Sequence, residues 1–159
     1  MLLIVDANVV FSVLIKGGKT LDIFLLNKAK KRFDFAAPEF LMVEVEKHTG
    51  EIIKKTGLST EEIGKVLDFL EKEIEFVSFE EFEEFFKEAE QISPDPNDIQ
   101  YFALALKLNG AIWSNDKALK KQSVVEVLST GEILKLIEFE SPQSAQSPLR
   151  DGGAKGITK

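Results

Sequence analysis

Four acidic residues stand apart from the general glutamate background of this 159-residue sequence: Asp6, Glu44, Asp98 and Asp116. Asp6 directly follows the apolar run Leu2-Leu3-Ile4-Val5, the pattern of a buried parallel strand. Asp116 follows a second apolar run, Ala111-Ile112-Trp113, by way of Ser114-Asn115. In an open α/β sheet the functional crevice lies outside the carboxyl ends of the strands, where both aspartates would sit. Asp98 falls at the third position of a helix if Asp95 is its N-cap and Pro96 its first residue. Glu44 projects between Phe40 and Leu41 on a helical wheel, with His48 one turn further on. A carboxylate among apolar residues needs a partner or a metal, because burying an unpaired charge is costly. Each position also has an ordinary structural reading. Asp6 and Asp116 suit turns or helix N-caps, a role that Asn8 or Asn115 could share, and Asp98 suits the positive end of a helix dipole.

Composition narrows the chemistry further. The chain has no Cys and one His, which excludes disulfides, thiolate metal sites, a cysteine nucleophile and any multi-histidine metal site. Chemistry must come from carboxylates, Ser/Thr, Lys or a hard metal ion. The net charge of −7 argues against a protein that coats nucleic acid by counterion release, though not against a metal-dependent nuclease with a local lysine patch. The apolar start stops at Asp6, too short for a secretory or membrane-spanning segment, so a soluble, cytoplasmic protein is expected. The Lys/Glu-rich, Cys-free composition leans toward a thermophile.

The elements that must position these residues alternate between strand and helix. Strands are expected at 2–5, 33–37, 74–77, 111–113 and 124–127. Helices are expected over the stretch up to Ile15, 20–31 (with Leu21, Phe24, Leu25 and Lys28 on one face), 39–55 with Pro38 in its first turn, a helix after Ser59, 79–91, one running to Gly110, a short one at 117–120, and one ending near Ile137. Ser59-Thr60-Glu61-Glu62 and Ser129-Thr130-Gly131-Glu132 are capping boxes. The pattern predicts a three-layer α/β/α sandwich with a mostly parallel sheet of about five strands. After Glu140 the composition turns Ser/Gln/Gly/Pro-rich, so residues 1–140 are read as one domain and 141–159 as a disordered or non-native tail.

The order of these pieces is more specific than any one of them. A strand ending in Asp6-Ala7-Asn8-Val9, a mid-chain helix carrying Glu44, a helix start at Asp95-Pro96-Asn97-Asp98 leading into Tyr101-Phe102-Ala103-Leu104-Ala105-Leu106, and a strand ending in Trp113-Ser114-Asn115-Asp116-Lys117 together resemble the PIN-domain family. Ala105, seven residues after Asp98, and the stretch from Val127 to Leu134 fit the same pattern. The resemblance spans roughly residues 2–137 and implies a VapC-like, metal-dependent ribonuclease. On that reading Asp6, Asp98 and Asp116 are ligands of Mg²⁺ or Mn²⁺, and Glu44 is a ligand or the orienter of the attacking water. Asn8, Asp95 and Ser114 become supporting or substrate contacts, with the N-cap role alone sufficient for Asp95. An RNA substrate, a small antitoxin partner and a homodimer are the associations implied.

Lys117, Lys120 and Lys121 follow Asp116 closely and offer a basic rim for a phosphodiester backbone, or simply a solvated face. Phe79, Phe82, Phe85 and Phe86 form a stripe that suits core or a dimer contact better than base stacking. His48 reads as a surface or hydrogen-bonding residue. Two other functions compete. A haloacid-dehalogenase-type phosphatase would need an Asp where Asn8 stands. A non-catalytic module binding RNA or protein would not need all four acidic positions filled.

Overall fold

Leu2–Val5 forms β1, the central strand of a five-stranded, all-parallel sheet of order β3-β2-β1-β4-β5 in this computed structural model, which describes residues 1–146 and the side chains of residues 1–138. The other strands are β2 (Asp34–Pro38), β3 (Ile74–Val77), β4 (Ala111–Trp113) and β5 (Val127–Leu128). Leu3, Ile4 and Val5 are wholly buried, which is why β1 is an unbroken apolar run rather than an alternating one.

The chain grows outward from β1 through β2 to β3, then returns to β1's other edge with β4 and β5. The topological switch therefore falls between β1 and β4, where Ile4 pairs with Ile112 and Val5 with Trp113. Among the described residues seven α-helices accompany the sheet: α1 (Ala7–Ile15), α2 (Gly18–Lys30), α3 (Phe40–Thr56), α4 (Thr60–Glu73), α5 (Phe86–Ile92), α6 (Ile99–Leu108) and α7 (Thr130–Gln146). Helix α1 packs on α3 and α2, and α2 on α7, whereas α5 packs on α6, which lies against β1 and β2. Right-handed crossovers put the helices of the β1–β2 connection and those of the β3–β4 connection on opposite faces, giving three layers. Trp113 sits at the centre of the aromatic core, 5.0 Å from Phe24 and 5.8 Å from Phe35 between ring centroids. Its indole N–H donates to Thr130 Oγ1 at 3.0 Å.

Both capping boxes form, with Ser59 and Glu62 exchanging bonds of 3.0 and 3.1 Å and Ser129 and Glu132 bonds of 2.8 and 3.2 Å. Several local expectations need correction. Pro38 ends β2 instead of opening α3. The Glu39 N–H donates to the Val77 carbonyl, so the proline nitrogen faces the β1 side, past the last β1–β2 pair at Ile4–Ala36, where no donor is needed.

Helix α2 buries Thr20, Ile23, Phe24 and Asn27, leaving Leu25 48% exposed, because Asn27 is required inside. Its carboxamide accepts from the Arg32 and Phe33 N–H groups and donates to the Phe33 carbonyl, satisfying the turn into β2. The 79–91 segment is not one helix. Two 3₁₀ turns, Phe79–Glu81 and Glu83–Phe85, precede α5, and the 117–120 segment is likewise a 3₁₀ turn, Lys117–Lys121. Phe82 is fully buried, and Phe79 meets both Phe82 and Phe86 edge-on, so this cluster is core.

Strand β5 starts three residues later than its apolar run. Gln122 binds the backbone of Val124 and Val125 through its carboxamide, which holds that stretch off the ladder. Helix α6 closes on Asn109, in the left-handed region at φ 55°, and not on Gly110. Gly110 has a different role: a Cβ there would lie 3.0 Å from the Leu2 carbonyl oxygen. Helix α7 runs past Ile137 to Gln146, and the remainder of the expected tail, 147–159, lies outside the described residues.

Candidate active site

Asp6 leaves the carboxyl end of β1 and stands at the N-cap of α1, with its N–H donating to the Trp113 carbonyl of β4. The side chain is 6% exposed. Its Oδ2 accepts from Ser114 Oγ at 2.7 Å, across the switch point. Ser114, itself buried, also accepts from Asn8 Nδ2 and from the Asp116 N–H, both at 3.1 Å. One hydroxyl thus ties together the loops after β1 and β4. Burial pushes the Asp6 carboxyl up to about 6, against the lowering pull of Ser114, and the charge of Glu44 adds to the rise.

Asp116 is exposed at the start of the 3₁₀ turn Lys117–Lys121, where its Oδ1 caps the Ala118 N–H at 3.0 Å. Asn115 secures the same loop by accepting from the Thr130 N–H at 2.9 Å. Asp98 is half-buried and enters from the 3₁₀ turn Pro96–Asp98 that leads into α6. Asp95 is the N-cap of that turn, its Oδ1 accepting from the Asn97 N–H at 2.8 Å, with Pro96 first in the turn. The Asp98 carboxyl is raised to about 7, first by burial and then by the charges of Asp6, Asp95, Asp116 and Glu44. That list brings together carboxylates from four separate segments of the chain.

Glu44 comes from α3, half-buried, and its Oε1 accepts from Tyr101 Oη at 2.5 Å. Tyr101 is buried in α6, three residues beyond Asp98. Burial, the bond to Glu44 and the nearby carboxylates all raise its phenol, so it stays a donor. It is the chain's sole tyrosine, and that was the one sequence signal that could have found it. His48 lies outside this arrangement: exposed, its Nδ1 rests on the Glu44 carbonyl at 3.0 Å and its ring is 5.3 Å from Phe11.

Asp98 is within electrostatic reach of Asp6, Glu44 and Asp116, and Asp6 of Glu44, but among the described residues no three acidic or histidine side chains converge on a preformed metal position. Asp6, Glu44 and Asp116 each have an oxygen engaged by a protein donor. The donor chemistry still suits a hard cation. All ligands available are oxygens, and Mg²⁺ keeps several waters while binding through one or two carboxylates. Among the lysines, Lys117 and Lys121 are exposed, whereas Lys120 is committed to Glu132 Oε1 at 2.6 Å. A separate cavity of about 530 Å³ borders Leu2, Asp34 and Ile74, the first residues of β1, β2 and β3, and includes none of the four carboxylates.

The family model for the PIN domain matches residues 4–136. The chain belongs to the PIN-domain family. A search of curated proteins finds no match. Among solved structures, a chain in the crystal structure of VapBC2 from Rickettsia felis, bound to a DNA fragment from their promoter, is similar in fold. It has a TM-score of 0.61 and 18% identity, over 81% of this chain and 98% of that one. In this PIN domain Asn8 donates to Ser114, a structural tie where a dehalogenase-type phosphatase would carry its second Asp. Among the described residues no helix is long and apolar enough to cross a membrane.

Proposed function

We propose that this PIN domain is a metal-dependent endoribonuclease that hydrolyses RNA phosphodiesters, acting as the toxin of a toxin–antitoxin pair. The observation that supports it is that Asp98 lies close enough to Asp6, Glu44 and Asp116 for their charges to raise its carboxyl, with Asp6 and Asp116 on the loops that follow β1 and β4. Four carboxylates repel a phosphodiester and one another, so the pocket makes chemical sense with a dication in it. Asp6, Asp98 and Asp116 would hold Mg²⁺ or Mn²⁺, with Glu44 as a further ligand or as the group that orients the attacking water. The bound ion supplies positive charge for the phosphate and acidifies water.

The protein's own residues do the rest. Ser114 fixes Asp6 from one side, and Tyr101 holds Glu44 from another while leaving its second oxygen for water. Where Glu44 orients the water, it takes the water's proton as the water oxygen bonds to phosphorus; the bond to the leaving oxygen breaks and that oxygen takes a proton from solvent. Asn8 and Asp95 hold the loops, and Lys117 and Lys121 take neighbouring phosphates, with Lys120 available only on leaving Glu132. The likeness to a chain of the VapBC2 assembly supports an antitoxin partner; that this partner is small and that the pair works in the cytoplasm are parts of the same proposal. A homodimer is part of the same reading.

The test is incubation of labelled single-stranded RNA with the protein in Mn²⁺, Mg²⁺ or EDTA, with Asp98→Asn in parallel. Cleavage that needs metal and is lost in Asp98→Asn is expected. Metal-independent RNA retention without cleavage would replace the enzyme with a binding module.

A further inference from the structure

Beside Asp116 a groove of about 350 Å³ runs along α1, a size within the ~300–1,000 Å³ range of small-molecule sites. One wall is α1, through Asn8, Phe11, Ile15 and Lys16, and the other is the Asn115-Asp116 loop after β4. Phe11 is half-buried and braced by the His48 ring 5.3 Å away, whereas Ile15 is 39% exposed. Lys16 ends α1 and has no acidic partner among the described residues. The Asn115 Oδ1 is taken by the Thr130 N–H, which leaves its NH₂ group to donate elsewhere.

An aromatic ring, an aliphatic side chain, an amide donor and a single cation, opening directly onto a carboxylate of the candidate metal pocket, fit one kind of occupant. We infer that this groove seats the nucleotide next to the scissile phosphate of a single-stranded RNA, its base against Phe11 and Ile15 and its outer phosphate at Lys16. The inference rests on the nuclease reading, since Asp116 belongs to both places. A base can meet Phe11 only when it is unstacked from its neighbours, so a duplex is excluded from the groove. A lone lysine matches one phosphate and not a run of them, which leaves sequence preference to the base.

The test compares wild type with Phe11→Leu, Lys16→Ala and, as a control on the exposed end of α3, Lys54→Ala. Steady-state cleavage of a labelled single-stranded RNA is measured at several salt concentrations, and binding of the same RNA by fluorescence anisotropy. Phe11→Leu is expected to raise KM roughly tenfold, the usual scale of losing one stacked base. Lys16→Ala is expected to reduce the slope of log KM against log salt by about 0.7, the signature of one single-strand phosphate contact. A fold defect would leave that slope unchanged. Lys54→Ala should behave as wild type. Cleavage by both groove variants with wild-type KM and salt slope overturns the inference and leaves the nuclease standing. Absence of cleavage by wild type overturns the nuclease instead. Anisotropy then decides the groove: weaker RNA binding in both variants sustains it, and equal or absent binding refutes it.

Discussion

Asp6 should make the metal-free protein less stable as pH rises, and Asp6→Asn should remove that penalty. The carboxyl titrates near 3.8 in an unfolded chain and about 6 in the folded one, because it is buried beside Glu44. A folded-state pKa above the unfolded value means that the native state binds the extra proton between those limits. The Asp6 contribution to stability is therefore greatest below about 4, falls as pH rises through that window, and levels off above about 6. The difference of about two pH units corresponds to roughly 3 kcal/mol at pH 8.

Asn is close in shape and its carbonyl can still accept from Ser114, so Asp6→Asn should stabilise the apo protein by up to roughly 3 kcal/mol at pH 8 and by little at pH 4. For a chain of this size that corresponds to about 6–12 °C in Tm. Asp98, raised to about 7, contributes in the same direction over a higher window; the two are coupled, so their effects should not add. The assay is thermal unfolding in EDTA from pH 4 to 8 for both proteins. An Asp6→Asn protein whose stability relative to wild type does not grow between pH 4 and 8, or that melts below wild type at pH 8, would contradict this role for Asp6.

Ser114→Ala removes the buried donor to Asp6 and the acceptor of Asn8 and Asp116, and should cost about 2 kcal/mol in urea unfolding at pH 8, less at pH 4 where Asp6 is protonated. Tyr101→Phe deletes one bond to a half-exposed carboxylate, so about 1 kcal/mol of stability is expected to go, together with a larger loss in the rate of RNA cleavage. Gly110→Ala would press a Cβ against the Leu2 backbone and should destabilise by about 1–3 kcal/mol, measured by denaturant midpoint.

β1 and β4 were legible to the residue because they lie inside the sheet, buried on both faces, and are written as continuous apolar runs; the edge strand β3 was read to the residue from Ile74, Phe76 and Val77 despite its exposed Glu75. Errors arose where a polar side chain overrode the apolar pattern. Asn27 turned α2 by satisfying a buried loop, and Gln122 held Val124 and Val125 off the β5 ladder. The aromatic stripe after β3 mimicked a helix, although a helical period and a pair of 3₁₀ turns place phenylalanines almost alike.

Of the candidate site, the positions of Asp6 and Asp116 after β1 and β4 were legible from the strand ends, and the N-cap role of Asp95 from its Pro96 neighbour. The pairing of Glu44 with Tyr101 was not, because it joins α3 to α6 across 57 residues. The capture of Lys120 by Glu132 was hidden likewise, since both lie in segments that read as solvated charge.

Asp6, Glu44, Asp98 and Asp116 are proposed to form one divalent-metal site. Calorimetric titration of the purified protein with Mn²⁺ near pH 6.5, repeated in buffers of different ionisation enthalpy, tests it most directly. Binding is predicted, with protons released as Asp98 and Asp6 ionise, and it should be abolished by Asp98→Asn but retained in Asp95→Asn. Mn²⁺ binding unchanged in Asp98→Asn, or no binding by wild type, would contradict it.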